Sequence, residues 1–344
     1  MKSNSFGLDI GTTTMKVVWL SRDKEATSYE SALIVPTPQQ GMQSESPFDH
    51  QEIAKQINKL MTDAKINVDT VAVALPESHV FTRVIDMPVL SEKELATAIY
   101  WEAEQYIPVP LDTMSLDWSV LRRPADVQPD PKMQVLLVAA PLQLIKRYQS
   151  ILELAGLTIS SIETDILATI RGIVANTKLP ASLLLNIGAR NTLLSIIQNG
   201  ILVFAYTIPL GGIAMTRAIA ADFGFSLEQA EEYKKAYGLS DKNFGGKVGA
   251  AIEPIFMSIL TEVKKAVAFY SEKYKNDSPL TQALFTGGGA SLPGIDLYFA
   301  QNLGIEAVIA NPWKLLNIQS VPRSVEVKGP EYTVAIGLAL KEYE

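Results

Sequence analysis

The sequence predicts an α/β fold: two similar halves facing each other, with an extra subdomain inserted into the first. Three stretches predict it. Phe6-Gly7-Leu8-Asp9-Ile10-Gly11-Thr12-Thr13-Thr14-Met15-Lys16-Val17-Val18 reads as strand, tight turn, strand. Ser182 to Ile197 repeats that grammar: a polar residue, Asn186, two before Gly188, a polar turn through Arg190 and Asn191, and a second apolar strand. Ala283 to Ala290 is a strand running into Gly287, Gly288 and Gly289.

The first hairpin alone is open to two readings. Gly11 lets the backbone turn and approach a ligand closely, and Thr12, Thr13 and Thr14 surround the turn with hydroxyls and N–H groups. Such a turn is an anion nest, and an acid beside it, here Asp9, can hold Mg²⁺ through water. The alternative is an ordinary hairpin with a polar turn, Asp9 capping its own turn and Lys16 facing solvent. The second copy and the late glycine turn favour a phosphate cradle.

The other elements follow in order. Ser28 to Val35 is a third strand, ended by Pro36 and Pro38. Asp49 with Glu52 forms a capping box, and Ile53, Ile57, Leu60, Met61 and Ala64 make a helical stripe. Val71 to Leu75 is a buried strand. Val80 to Met87 is another, and Ser91 with Glu94 caps a helix reaching Tyr106. Ser115 to Leu121 alternates as a strand, and the prolines of 122–132 mark an exposed loop. Met133 to Ala140 is a strand, Pro141 opens a helix to Gly156, and Thr158 to Glu163 is a strand. The order β-α-β-β-α-β suggests a split unit inserted over 82–164. A helix over 165–176 returns to the first half. Strand 201–208, a helix from Ile213 to Phe223, a helix capped by Ser226 and Gln229, a mobile Gly-rich segment 238–249 and a long helix from Ala250 to Tyr274, with Pro254 in its first turn, follow. Gly294 to Asn302 is helical, 311–330 is irregular apart from one turn at Trp313 to Leu316, and a last helix runs from Tyr332 to Lys341. Its small residues Ala335, Gly337 and Ala339 suit close packing.

Composition narrows the classes. The 344 residues allow two ordinary domains, 47% are hydrophobic, and the net charge is −7 without a basic block. General nucleic-acid binding and a polybasic membrane patch are not expected. Cys is absent and His50 and His79 are the only histidines, which removes thiolate chemistry and a histidine metal site. No run reaches the roughly 18 apolar residues of a membrane helix, and no signal peptide is evident. The expected location is cytoplasmic.

Two such hairpins and a late glycine turn resemble the actin-like ATPase superfamily, in which two RNase H-like domains face each other across a nucleotide. The resemblance implies ATP and Mg²⁺ as cofactors. The first turn (Asp9, Gly11, Thr12, Thr13, Thr14, Lys16) and the second (Asn186, Gly188, Asn191) would be phosphate loops. The third (Gly287, Gly288, Gly289) would be the adenosine turn, and Asp9 would stand on the metal side. Glu231 and Lys234, i and i+3 on one helix, would approach ribose and adenine; a solvated helical salt bridge is the alternative. Asn186 stands where many members carry aspartate. An amide cannot take a proton, and positioned acids or bases are worth about 10²–10⁴ in rate, so ATP would be bound and hardly hydrolysed.

A narrower resemblance rests on Leu75-Pro76, Thr82 to Pro88, Trp101-Glu102-Ala103-Glu104-Gln105-Tyr106-Ile107-Pro108, Leu111-Asp112, Leu210-Gly211-Gly212, Phe285 to Ala290 and Ala335 to Leu340. These resemble the PilM family of type IV pilus assembly, an FtsA-like branch with an inserted 1C subdomain. FtsA proteins usually end in an amphipathic membrane helix, which is not found after Leu340 and favours the PilM side. Departures are Asn186 and Tyr206, where arginine is common. The resemblance implies subdomain 1A over 1–81, 165–180 and 331–344, 1C over 82–164, 2A over 181–212 and 275–330, and 2B over 213–274. It implies an adaptor at the inner membrane. The adaptor would hold the N-terminal peptide of a PilN-like protein, with an Asn-Leu-Leu-Pro-like core, in a 1A/1C groove. Tyr106, Ile107 and Pro108 would line that groove; core and turn roles for them remain open. Self-association into a ring or filament is the FtsA-like alternative. A small-molecule kinase is disfavoured because no clear acid stands at the second turn.

Overall fold

Each half is built outward from its hairpin. In the computed structural model, which describes residues 3–23, 26–39, 41–124, 131–174, 181–240, 245–275 and 278–344, β1 (Ser5–Ile10) and β2 (Thr14–Asp23) pair antiparallel with Gly7 opposite Val18. β3 (Ala26–Pro36) extends the sheet beyond β2. α1 (Pro47–Asp63) buries Ile53, Ala54, Ile57 and Leu60, and β4 (Thr70–Leu75) returns parallel to β1. Pro47 occupies the first helical position, which its fixed φ suits, so α1 starts before the expected Asp49–Glu52 box. Asp49 lies in the first turn and accepts a bond from Ser44 Oγ.

The insert is β5 (Phe81–Pro88), α2 (Glu92–Tyr106), β6 (Met114–Arg122) and β7 (Lys132–Pro141). The Ser91–Glu94 capping box is present on α2. Its strands form a separate antiparallel sheet ordered β5-β7-β6, with Leu95, Ile99 and Ala103 of α2 packed on Ile85, Val135 and Leu137. The six-element unit expected over 82–164 is not what forms. α3 (Leu142–Leu154) and β8 (Thr158–Thr164) belong to the first half: β8 pairs parallel with β4, and Tyr148, Ile151 and Leu152 join Phe6, Leu8 and Ile57 in one core. Element order alone does not say which sheet a strand joins. Pro141 ends β7 and precedes α3 rather than opening it. The expected exposed loop at 122–132 and mobile segment at 238–249 fall partly on 125–130 and 241–244, outside the described residues.

α4 (Asp165–Val174) leads to the second half, which repeats the first. It holds β9 (Ser182–Ile187), β10 (Thr192–Gln198), β11 (Ile201–Ile208), α5 (Gly212–Phe223), α6 (Leu227–Tyr237), α7 (Lys247–Lys273), β12 (Gln282–Thr286), α8 (Ile295–Leu303) and β13 (Glu306–Ile309). The two sheets run β3-β2-β1-β4-β8 and β11-β10-β9-β12-β13, the same pattern of antiparallel and parallel neighbours. α7 starts after Gly246, earlier than expected, which puts Pro254 inside the helix instead of in its first turn. The one-turn helix α10 (Arg323–Glu326), which follows α9 (Pro312–Leu315), lies where irregular chain was expected, and the short β13 lies where the sequence suggested no element.

The last helix, α11 (Thr333–Leu340), is buried from Thr333 to Ala339. It returns to the first half and lies between β1 and α4. A β-carbon at Gly337 would overlap Ala168 O, one at Gly172 would overlap Thr333 O, and one at Gly7 would overlap Ala335 O. Arg171 of α4 donates to Gly337 O at 3.0 Å and pairs with Glu163. A branched side chain at this crossing must push the helices apart. We expect Gly337→Val to cost about 3 kcal/mol, read as a lower urea midpoint. An unchanged midpoint would show that α4 and α11 do not meet there.

Candidate functional site

The first hairpin forms one wall of the cleft. Asp9, next to last in β1, lies opposite Lys16 in register, so both side chains leave the same face. They form an ion pair, Lys16 Nζ to Asp9 Oδ2 at 3.0 Å, both largely buried. Lys16 is therefore not solvent-facing; its ammonium stands beside the turn at Gly11. Thr12 and Thr13 are exposed at the tip. Thr37 braces the turn, its N–H donating to Thr13 O at 3.0 Å and its hydroxyl to Gly11 O at 2.8 Å.

Asn186 holds in β9 the place that Asp9 holds in β1. Its amide donates to Thr169 Oγ1 of α4 at 3.0 Å, and Thr169 Oγ1 donates to Asp165 O at 2.6 Å. Gly188 N–H closes the second turn on Asn191 O at 2.9 Å. Two N–H groups at the start of α5, Gly212 and Ile213, donate to Gly188 O and Ala189 O at 3.0 and 2.8 Å, so this helix end is spent on fixing the turn. Gly287 has φ 80° and packs on Asn186; Gly289 packs on Ile187, while Gly288 faces open space. The second and third turns thus touch, and α4 links them to the first.

Two acids of the site carry no signal in the sequence. Asp165 opens α4, where an acid reads as an ordinary partner of the helix dipole. Its Oδ1 accepts the Glu77 N–H at 3.2 Å. Burial, then the Glu77 and Asp9 carboxylates, raise Asp165 well above its usual value, against N–H groups of Glu77 and Ile166. Burial pushes Glu77 up to about 7, with the Thr82 and Thr164 hydroxyls opposing. Yet Glu77 Oε2, Thr82 Oγ1, Thr164 Oγ1 and Tyr148 OH are all buried with no closed hydrogen bond. Nothing in Leu75-Pro76-Glu77 marks a buried carboxyl.

Glu231 and Lys234 form neither a solvated pair nor a free donor set. Lys234 Nζ is buried and donates to Gly212 O at 3.0 Å, Thr216 Oγ1 at 2.9 Å and Glu231 Oε2 at 2.6 Å, tying α6 to the start of α5. Burial lowers its pKa, against the Glu231 bond. Glu231 is the more open partner and also meets Lys235.

A cavity of about 530 Å³ lies beside the cleft. Glu77 and Ser78 come from the first half, Thr82, Arg83, Tyr106 and Ile107 from the insert, and Asn191 and Tyr206 from the second half. Arg83 stacks its guanidinium on the Tyr106 ring at 4.3 Å. Ile107 is also part of the insert core. Pro108 is exposed and does not line the cavity. The cavity differs from the expected 1A/1C groove in having a third wall, from β11.

A family model described as type IV pilus assembly protein PilM matches residues 7–343. The chain belongs to the PilM family. The PilM family is also represented among similar solved structures: a chain of a PilM–PilN type IV pilus biogenesis complex superposes with a TM-score of 0.86 at 27% identity, over 99% of both chains. MreB5 of Spiroplasma citri bound to ADP has a TM-score of 0.56 at 14% identity, over 98% of this chain and 96% of that one. The MamK double helical filament has 0.55 at 14%, over 99% and 98%. The last two share the fold alone, and that fold is actin-like. No helix among the described residues is long and apolar enough to cross a membrane.

In this PilM family member the raised Glu77 has a sign that can be tested. Its folded pKa, about 7, exceeds its ordinary 4.5, so the fold favours the protonated acid. That contribution is full below about pH 4.5 and is lost as pH rises through about 7, a span worth up to about 3 kcal/mol. Glu77→Gln keeps the shape without the proton. We expect its stability to fall less than the wild type's between pH 5 and 8 in chemical denaturation. Parallel slopes would mean that Glu77 is not buried as described.

Proposed function

We propose that this chain is a nucleotide-binding adaptor of a type IV pilus assembly complex at the inner membrane. It would hold the cytoplasmic N-terminal peptide of a PilN-like membrane protein in the three-walled groove. The observation that carries this is the groove itself: it is apolar along Tyr106 and Ile107, has polar anchors at Glu77, Thr82 and Asn191, and occurs in a chain similar end to end to one from a PilM–PilN complex. A short extended segment suits such walls. With β8 and α3 counted in the first half, we place subdomain 1C at 81–141 and 1A over the remainder of 1–174 together with 331–344.

The cleft would hold ATP. Asp9 and Lys16 stand together at the first turn, Gly288 leaves room at the third, and Asp165 lies near enough to Asp9 to be raised by it. Magnesium is commonly held by one or two carboxylates with phosphate and water rather than by a protein cage. Asp9 at the end of β1, beside the first turn, fits that donor set. Bound magnesium would screen phosphate charge, with Asp9 holding it through water and Lys16 turned from Asp9 to phosphate. Asn186, fixed by Thr169, orders water but cannot take a proton. Burial and the neighbouring carboxylates raise Asp165 and disfavour the ionised form that a base needs, and this supports holding over turnover.

Titration with a labelled peptide carrying the Asn-Leu-Leu-Pro core is expected to saturate, and a scrambled core to abolish binding. Absence of saturable binding to either would overturn the adaptor reading. Asp9→Ala is expected to weaken Mg-ATP binding about tenfold or more, the worth of one charged contact; unchanged affinity would remove Asp9 from the site. Asn186→Asp is expected to raise phosphate release. No rise would place the limit on turnover elsewhere.

A further inference from the structure

Helix α2 of the insert turns a second face outward. Leu90, Lys93, Glu94, Thr97, Ala98 and Trp101 line a shallow trough of about 530 Å³ that shares no residue with the groove. These positions recur at three and four residues, so they form one stripe along the helix. Leu90 and Ala98, the apolar floor, pack on the insert core. Trp101 ends the stripe with 69% of its surface exposed, and Tyr100 beside it has 51% exposed. Val89 and Val109, just outside the two ends of the helix, are exposed as well. Exposed apolar groups gathered beside a trough mark a contact surface, and tryptophan and tyrosine are prominent among the side chains that carry such contacts.

Charge selects the guest. α2 carries Glu92, Glu94, Glu102 and Glu104 against the single Lys93. Glu94 is held as the carboxylate of the capping box. Glu102 and Glu104 stand towards the other end, where the helix dipole favours a cation, and the last turn holds no base. Glu104 is exposed and lies one turn beyond both Tyr100 and Trp101, at i+4 and i+3, so its carboxylate neighbours both open rings. That placement works against the isolated helix and suits an incoming arginine, whose guanidinium stacks on a ring while its N–H groups pair with a carboxylate. The insert already contains the stacked half of such a contact, Arg83 over Tyr106 at 4.3 Å. The surface of a helix offers no free backbone groups, so the guest has to satisfy its own backbone, as another helix does. We propose that this face of α2 docks a basic amphipathic helix of a partner protein, with an apolar side chain in the trough and an arginine on Trp101 and Glu104. The stripe from Leu90 to Glu104 is about 21 Å long at 1.5 Å per residue, which matches about four turns of guest. This face is separate from the groove and does not depend on the adaptor reading.

The probes are labelled helical peptides with one leucine stripe, flanked in one by arginine and in the other by glutamate. Affinity for the full-length chain is read by anisotropy, and the site of contact by iodide quenching of tryptophan fluorescence. The arginine peptide is expected to saturate and to shield Trp101, with the shielding absent in Trp101→Phe. The glutamate peptide is expected to bind at least about tenfold more weakly. Glu104→Lys is expected to reverse the order of the two peptides while the thermal midpoint stays level or rises, because lysine suits that end of the helix. A merely structural role for Glu104 would lower the midpoint and leave the order in place. Trp101→Ala is expected to weaken the arginine peptide about tenfold and to leave the groove's binding of the Asn-Leu-Leu-Pro peptide as it is in the wild type. Saturable binding of neither peptide, equal binding of both, or an order that Glu104→Lys does not change overturns the proposal. Light scattering that shows a dimer lost in Trp101→Ala would give the face to a second copy, and shielding of Trp101 by phosphatidylcholine vesicles would give it to a lipid surface; either result also overturns it.

Discussion

The crossing of α4 and α11 is the contact on which the rest of the molecule depends. Backbones meet there because Gly172 and Gly337 carry no side chain and each faces a carbonyl of the other helix. α11 has no solvated face to fall back on, so its whole surface has to find partners. Arg171 adds a charged donor to Gly337 O in the same contact. α4 is also the helix that joins the two sheets, and it carries both Asp165 and Thr169. A displacement of α4 by the width of one methyl group would shift the hydroxyl that holds Asn186 and the carboxyl that holds the Glu77 N–H. Close packing far from any ligand thus sets the position of both walls of the cleft.

The duplication is legible in the sequence because a glycine turn between apolar strands is a local pattern. Asp9 and Asn186 match by their spacing from Gly11 and Gly188 alone, and they occupy the same place in β1 and β9. The extent of the insert is not legible. Strand β8 looks the same whether it pairs with β7 or β4; its partner is chosen by burial of Tyr148 and Ile151 against α1, a long-range fact. Asp165 and Glu77 are invisible for a similar reason. Their character comes from burial and from each other, and neither leaves a mark in neighbouring residues. Lys234 shows the reverse error. Its spacing from Glu231 is a surface pattern, but the ammonium is buried on the start of α5, which Gly188 and Ala189 hold through their carbonyls.

The groove restricts what can enter it. At about 530 Å³ it is within the range of pockets for drug-sized ligands and too small for a helix about 10–12 Å across. Its flanks are two sheet edges: β5 ends the insert sheet and β11 ends the second sheet. An edge strand carries backbone groups without a strand partner, and an extended chain brings the complementary set. Under the adaptor proposal, apolar side chains of such a chain alternate towards Tyr106 and Ile107. A helix satisfies its own backbone and leaves the groups of the two edges without a partner. The two edges therefore favour an extended guest, whose backbone N–H and C=O groups are free to pair with them.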